Sequence, residues 1–585
     1  MLIELIVYIE FEIKEQYTVS TELKERTYEP FYWLTDDSKT FLSRGYLQEG
    51  QTAEERIRIV ADRAEELLGI EGFSDKFYTY MSKGFYSLST PVWTNFGTDR
   101  GFPISCFGST PDDNMASILY TASEVGMMSK YGGGTSGYFG NLRARGASIT
   151  NNGTSSGAVH FMKLFEQMTD TVSQGSSRRG RFAPYLPIDH PDIEEFLEIG
   201  VEGNDIQDLN HAVTVSDEWM REMISGDRDK RAIWAKVLQR RVEMGYPYVL
   251  FTDTINNNKP AWYKDNPITH SNLCSEIMLP DNDRWSFVCN LSSMNLLHYN
   301  EWKDTDAVET MIYFLDAVMT EFIQKLEALR DSNDLEYTQA FHFMERAYNF
   351  AVENRALGLG VLGWHSLLQS NMIAFESVEA SLLNEEVHKL ISERADKASR
   401  ELADIFGEPE VLKGTGRRNS TTMAIAPTTS SAFIIGQVSQ SIEPLFSNYY
   451  VKDMSKIKTT IRNKYLVELL EEKGKNTPEV WEDIKNHDGS VLHLDFLSDH
   501  EKDVFKTFAE LNQYEIINQA AVRQRFIDQS QSLNIMINPA MTTAKEMNQL
   551  HIYAWENGIK SLYYQHSTSA AQEFYRSSVC LACEA

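Results

Sequence analysis

HAVTVS (211–216) and YVLF (248–251) are the two stretches on which the fold turns. Both are short, rich in β-branched and aromatic residues, and read as strands. TTMAIAP from Thr421, LNIMIN from Leu533 and SLYY from Ser561 are of the same kind. Between such runs lie long stretches with helical spacing of apolar residues, near 303–330, 376–406 and 499–526. Upstream, TAEERIRIVADRAEELLG from Thr52 opens with a Thr-x-x-Glu capping box ahead of a helical pattern. Strands alternating with helices predict an α/β fold with parallel pairing, as an open sheet or a barrel. No Pro/Gly/Ser linker divides the chain. The organisation read is a mainly helical region over 1–80, one large α/β domain over 81–568 and a loose tail over 569–585.

The 585 residues suffice for a large core, and 42% hydrophobic with 24% charged content is ordinary for a globular protein. A formal charge of −29 argues against a nucleic-acid polymer as partner, since phosphate backbones need clustered Lys and Arg. A single nucleotide needs only a local donor cluster, such as Arg178, Arg179 and Arg181 in SQGSSRRGRF. The opening MLIELIVYIEFEIKEQY carries Glu4 early and has neither a basic leader nor a small-residue cleavage site; it reads as an edge strand. With no run of 18 apolar residues, the expectation is no membrane span and a cytoplasmic location.

Five cysteines, Cys106, Cys274, Cys289, Cys580 and Cys583, are too sparse for a secreted disulfide framework. Most cysteines in such a chain are small core residues. In SNLCSEIMLP (271–280), Asn272, Cys274 and Glu276 alternate, so an extended segment would put a polar donor, a thiol and a base on one face. Cys289 follows in FVCNLSSMNL and Cys106 lies far upstream in FPISCFGST; only the fold can bring them within the Cα separation of about 7 Å that a disulfide requires. The terminal CLACEA holds Cys580-x-x-Cys583, and with no His or second CxxC nearby it reads as a redox dithiol rather than a zinc site; no metal site is expected in this chain.

Gly358-x-Gly360-x-x-Gly363 matches a dinucleotide fingerprint in form, but VENRAL before it looks helical, so it is set aside. YGGGTSGYFG (131–140), which includes Gly134, lacks a P-loop Lys but lets backbone approach a ligand. APTTSSAF (426–433) is either a plain Ser/Thr turn or a phosphate cradle. Tyr563 and Tyr564 end an apolar run, as packing residues or as redox groups.

Taken together and in order, SNLCSEIMLP, NRALGLGVLG, APTTSSA, RFIDQSQSLN and ENGIKSLYYQHS resemble the ribonucleotide reductase large subunit of class I, over roughly residues 40–585. The resemblance implies a ten-stranded α/β barrel of two half-barrels with the radical cysteine on an interior loop. It implies reduction of ribonucleoside diphosphates to 2′-deoxyribonucleotides for DNA synthesis. It gives Cys274 as the thiyl that takes the ribose 3′ hydrogen, Glu276 as base for the 3′-hydroxyl and Asn272 as its hydrogen-bonding partner. Cys106 and Cys289 become the pair that supplies two electrons, Cys580 and Cys583 the dithiol that re-reduces it, and Tyr563 and Tyr564 the radical relay. Thr90, Ser105, Gly134, Thr429, Ser430 and Ser431 match substrate contacts. Asp113, Arg143, Gln174 and Arg178 match the dNTP/ATP specificity site and its link to substrate, although GSSRRGRF departs from the family pattern.

The implied partners are a metal-containing small subunit that supplies the radical, thioredoxin or glutaredoxin, and a second copy in a homodimer; no cofactor is expected in this chain. The entry segment LSRGYLQEGQTAEER near residue 42 leaves no room for an ATP-binding regulatory domain, so no shut-off by dATP at an N-terminal domain is expected. About 16 residues from Tyr564 to Cys580 give the tail a reach of roughly 50 Å. The tyrosine pair argues against an adenosylcobalamin-dependent (class II) reductase, and the C-terminus lacks a glycyl-radical motif. Retention of all five cysteines and Glu276 argues against a non-catalytic nucleotide-binding homologue. A plain thiol–disulfide oxidoreductase explains only CLACEA.

Overall fold

The computed structural model describes residues 23–175, 179–454, 457–539 and 541–567. The N-terminal strand expectation, Arg178 and the tail with Cys580 and Cys583 lie outside the described residues.

The capping box at Thr52 forms as its sequence predicts: Thr52 Oγ1 accepts from Glu55 N–H at 3.2 Å, and the Glu55 carboxylate accepts from Thr52 N–H at 2.9 Å. The helix runs Ala53–Leu68 and ends on Gly69 at φ +63°. Its buried face includes Arg56, whose guanidinium donates to the carbonyls of Trp93 and Phe96 at 2.7 and 2.5 Å, a use of charge that spacing alone hides.

The main sheet has strands β1 (Tyr86–Leu88), β2 (Cys106–Ser109), β3 (Gly134–Tyr138), β4 (Phe182–Pro187), β5 (Ala212–Val215), β6 (Tyr248–Phe251), β7 (Phe287–Asn295), β8 (Leu357–Leu362) and β9 (Ser561–Leu562). From β2 through β6 all neighbours are parallel and sequential. β6 meets β9 antiparallel, and the chain continues from β9 into Gln565–Ser567, which pairs parallel with Ile535–Ile537. Parallel bridges then join Gln531 to Ile425 and Met423 to Leu359 on β8, which lies parallel to β7. β7 returns antiparallel to β2. The circuit closes: five parallel segments, an antiparallel seam, five parallel segments and a second antiparallel seam. This is the ten-stranded barrel of two half-barrels, with β1 added along the free end of β7.

Both faces of the strands are buried, as a barrel sheathed in helices requires; Tyr248–Phe251 and Leu357–Leu362 read as continuous apolar runs, while Phe287–Asn295 and Gly134–Tyr138 also bury polar side chains. Alternation still sorts the side chains. Phe182, Val213, Val215, Val249 and Phe251 join the large core beneath the outer helices. Ala183, Tyr185, Ala212, Tyr248 and Leu250 point the other way and form a separate interior cluster with Met278 and Tyr563, against which Leu273, Cys274 and Tyr564 pack. The large core also takes in Trp33, Ile57, Val60 and Phe77 from the N-terminal helices.

The helical pattern over 499–526 breaks into Asp499–Val504, a short turn at Phe508–Glu510 and Gln513–Gln524. Thr507 and Asn512 each cap a fresh start, and Phe508 N–H donates to Leu445 O at 2.8 Å, tying the interruption to a neighbouring segment. The glycine fingerprint at 358–363 is no nucleotide loop, since Gly358 and Gly360 lie within β8, packed on Ala424. Among the described residues no helix is long and apolar enough to cross a membrane.

Candidate active site

SNLCSEIMLP is not an extended strand. It is a turn in the barrel interior, so the one-face alternation, which depended on an extended segment, does not arise. Ser275 takes a left-handed backbone at φ +66°, a conformation that costs a non-glycine residue on the order of 1–3 kcal/mol. The surroundings over-determine it. Asn272 Oδ1 accepts from the backbone N–H of Glu276 and Ile277 at 3.1 and 3.2 Å, and Ser561 Oγ donates to Ser275 O at 2.8 Å. Tyr185 Oη, from β4, donates to Asn272 O at 2.5 Å, and Ser530 N–H donates to Glu276 O at 3.0 Å. The loop is therefore held from both half-barrels.

The turn brings the three residues together more tightly than a strand would. Asn272 Nδ2 donates to Glu276 Oε1 at 3.0 Å and to Cys106 Sγ at 3.2 Å. Ser532 Oγ lies 2.5 Å from Cys274 O and 3.1 Å from Glu276 Oε2. Glu276 is buried, and desolvation raises its carboxyl to about 7 even though its own backbone N–H, Asn272 and Ser532 favour the charged form. A carboxyl that titrates near neutrality is suited to take and return a proton.

Cys106 and Cys289 occupy directly opposed positions in the antiparallel β2–β7 seam. Such pairs have Cα atoms about 4.5–5.5 Å apart, inside the range a disulfide spans. Cys289 is fully buried, and burial, then the adjacent Cys106 thiol, push its pKa well up, so it rests as a thiol. Gln529 Nε2 approaches its sulfur at 3.6 Å, while Gln529 Oε1 accepts from Met278 N–H at 3.0 Å. One side chain thus links the thiol pair to the interior loop.

On the other side of the loop the Tyr563 ring lies tilted against Tyr248 with centroids 4.6 Å apart and meets Tyr564 edge-on at 4.3 Å. Cys274, half-buried, packs on the cluster that contains Tyr563.

Ser105 O accepts from Gly134 N–H at 2.8 Å, and Gly134 lies against Leu273 of the loop. Ser431 Oγ donates to Leu88 O at 3.3 Å, setting the helix Thr429–Ile434 beside the end of β1, next to Thr90. Thr429, Ser430 and Ser431 form its first turn, which has no side-chain cap. Asp113 and Arg143 form an ion pair at 2.7 Å on a half-exposed surface, and Gln174 Nε2 donates to Asn95 Oδ1 at 3.0 Å; these two groups stand apart from the interior loop in sequence. Ser532, Gln529, Tyr185, Tyr246, Tyr248 and Asn210 were not singled out from sequence. Two signals were present: the period-two alternation of Gln529-Ser530-Gln531-Ser532 and the Tyr-x-Tyr of YPYVLF. Among the described residues, Asp483, His487 and His493 have metal-ligand atoms within 4.8 Å of one another, but there the Asp483 carboxylate already accepts from His493 at 3.0 Å on an exposed surface.

An α/β barrel with a thiol, a near-neutral carboxyl and an opposed thiol pair around one interior loop defines a protein built for thiol chemistry on a small polar substrate. Residues 104–230, 224–414 and 408–565 match the family model for the ribonucleotide reductase barrel domain. The chain is 30% identical to the ribonucleoside-diphosphate reductase large subunit of Invertebrate iridescent virus 3, across 90% of this chain and 92% of that protein. It is 28% identical to the large subunit of Arabidopsis thaliana, across 84% of this chain and 70% of that one. The solved structure of the Actinobacillus ureae class Id ribonucleotide reductase alpha subunit superposes with a TM-score of 0.86 at 52% identity, covering 95% of this chain and all of that one. The chain belongs to the ribonucleotide reductase family, as a class I large subunit.

Proposed function

We propose that the chain reduces ribonucleoside diphosphates to 2′-deoxyribonucleotides by a radical carried on Cys274. One observation carries this reading: a single buried turn sets Asn272, Cys274 and Glu276 between an opposed dithiol and an edge-to-face tyrosine pair. In the proposed sequence the Cys274 thiyl takes the 3′ hydrogen and Glu276 accepts the 3′-hydroxyl proton. The 2′-hydroxyl then leaves as water, taking a proton from the Cys106–Cys289 pair. The pair's other thiol gives a hydrogen atom to C2′, the two sulfurs close as a disulfide as the remaining electron passes to the 3′-ketone, the 3′-hydroxyl proton returns from Glu276, and Cys274 returns its hydrogen atom to C3′, so the pair supplies two electrons in all. Asn272, donating to both Glu276 and Cys106, orients base and reductant toward the same hydroxyls. Thr90, Ser105, Gly134 and the turn Thr429–Ser431 are the proposed substrate contacts. The half-exposed Asp113–Arg143 pair and Gln174, with Arg178 outside the described residues, are the proposed dNTP/ATP effector site.

The radical enters through Tyr564 and Tyr563 from a metal-containing small subunit. Cys580 and Cys583 re-reduce the internal pair and are themselves reduced by thioredoxin or glutaredoxin. The chain acts as a homodimer in the cytoplasm. The test is turnover of a ribonucleoside diphosphate by purified chain with a dithiol, comparing a radical-loaded small subunit with adenosylcobalamin, and Cys274→Ala as control. Product only with the small subunit, and none from the variant, is expected. Product with cobalamin alone would move the radical source and leave the tyrosines unexplained; no product with either would reject catalysis.

A further inference from the structure

The tyrosine pair is half of a larger phenol cluster. Tyr246 and Tyr248, at the entry to β6, face Tyr563 and Tyr564 across the antiparallel β6–β9 seam. Tyr246 Oη and Tyr564 Oη lie 2.6 Å apart. Asn210 Nδ2 donates to the same group of oxygens, at 2.9 Å to Tyr246, 3.1 Å to Tyr248 and 3.2 Å to Tyr564. Ring centroids are 5.0 Å apart for Tyr246–Tyr564 and 5.2 Å for Tyr246–Tyr248. A buried tyrosine hydroxyl usually finds one hydrogen-bond partner of its own. Here three hydroxyls converge on one amide that has only two hydrogens to give.

We propose that Tyr246 is a third radical-bearing tyrosine, exchanging a hydrogen atom with Tyr564. The step is Tyr564–O• plus Tyr246–OH giving Tyr564–OH plus Tyr246–O•. The O–H bond of Tyr246 breaks, that of Tyr564 forms, and one proton and one electron cross the same 2.6 Å hydrogen bond. No net charge appears in a largely desolvated place, where an isolated phenolate or protonated phenol would be costly. The initial one-electron oxidant is the small subunit's, so the proposal rests on the relay role of Tyr564 given above. Tyr246 is buried and Tyr564 half-buried, so Tyr246 holds the radical on the better-shielded partner of the pair. Asn210 is a positioning residue that keeps the two hydroxyls in register.

The experiment places 3-aminotyrosine, a radical trap, at position 246 or 564 in the full chain. Each protein is mixed with oxidant-loaded small subunit, a ribonucleoside diphosphate and a dNTP effector, and read by electron paramagnetic resonance. Trapped aminotyrosyl radical is expected at both positions, with the position-246 signal lost when Tyr564→Phe is added. A signal at 564 and none at 246 overturns the proposal while leaving the relay intact. A signal at 246 that survives Tyr564→Phe also overturns it, since the radical would then arrive by another route. No signal at either position, with the small subunit shown to hold its oxidant, rejects the relay reading itself. Tyr246→Phe keeps the ring and removes only the exchanging hydroxyl; turnover is expected to fall several-fold, against complete loss for Tyr564→Phe.

Discussion

Cys106 on β2 and Cys289 on β7 stand directly opposite one another, although 183 positions separate them in the sequence. Nothing but closure of the barrel brings them together, and the opposed register leaves the two sulfurs able to bond without backbone rearrangement. Mild oxidation of the purified chain is therefore expected to give a Cys106–Cys289 disulfide, seen as a single cross-linked peptide pair by mass spectrometry. Either Cys→Ser variant should lose multiple turnover by about 10²-fold or more while retaining its thermal transition within a few degrees. An oxidised product linking Cys274 instead would contradict this assignment.

Glu276 should govern the acid limb of the rate profile. With its carboxyl at about 7, log(kcat/KM) is expected to rise with unit slope up to about pH 7 and then level. Ser532 favours the ionised form, so Ser532→Ala should move that limb to higher pH, whereas loss of a merely structural contact would lower the plateau without moving it. Glu276→Gln should reduce turnover by about 10²–10⁴-fold at all pH values. The stability effect has the opposite sign to the rate. A carboxyl raised on folding stabilises the native state below its unfolded value and loses that contribution as pH rises through about 7.

Gly358 is needed for space rather than for a nucleotide. A methyl group there would lie 2.3 Å from Leu291 Cδ2 and 3.2 Å from Cys289 Sγ. Gly358→Ala is expected to destabilise by about 1–3 kcal/mol through overpacking and to slow disulfide formation between Cys106 and Cys289. Urea unfolding and the rate of thiol loss read the two effects separately; unchanged thiol reactivity would show that the wall absorbs the methyl without moving the sulfur.

Asp316 is the buried counter-ion of two arginines, accepting from Arg355 Nε and Arg418 Nε at 2.9 Å each and from Asn419 Nδ2 at 2.9 Å. Despite desolvation the two guanidiniums hold its carboxyl at about 2, below its ordinary value. Asp316→Asn leaves those charges buried without their partner and should destabilise by about 3–5 kcal/mol, with little change in kcat for the folded fraction. Because the folded value is depressed, this contribution is present above about pH 4 and fades as pH falls toward 2.

The strands at 211–216 and 248–251 were legible because a parallel wall buried on both faces must be apolar throughout. The break at Thr507–Asn512 was not, because residues on either side keep helical spacing and the caps at Thr507 and Asn512 gain their meaning only once Phe508 is tied to Leu445. At the site, Asn272, Cys274 and Glu276 could be picked out by residue type, but the one-face arrangement held only for an extended segment, and the segment turns. Asn272 spends its side-chain carbonyl on two backbone donors, and that local capping outweighs extension. Gln529, Ser532 and Asn210 were missed for a simpler reason: neutral amides and hydroxyls acquire meaning only from what they touch.

The two antiparallel seams lie five strands apart whichever way one travels round the ring, so they face each other across the barrel. Ten strands at their usual spacing and tilt enclose roughly 15–20 Å. One seam carries the dithiol and the other the phenols, with the interior loop strung between them. In the proposed reaction this is insulation. A tyrosyl radical can take a hydrogen atom from a thiol on contact, and the Cys106–Cys289 pair stands on the seam opposite the phenols, with the loop that carries Cys274 between them.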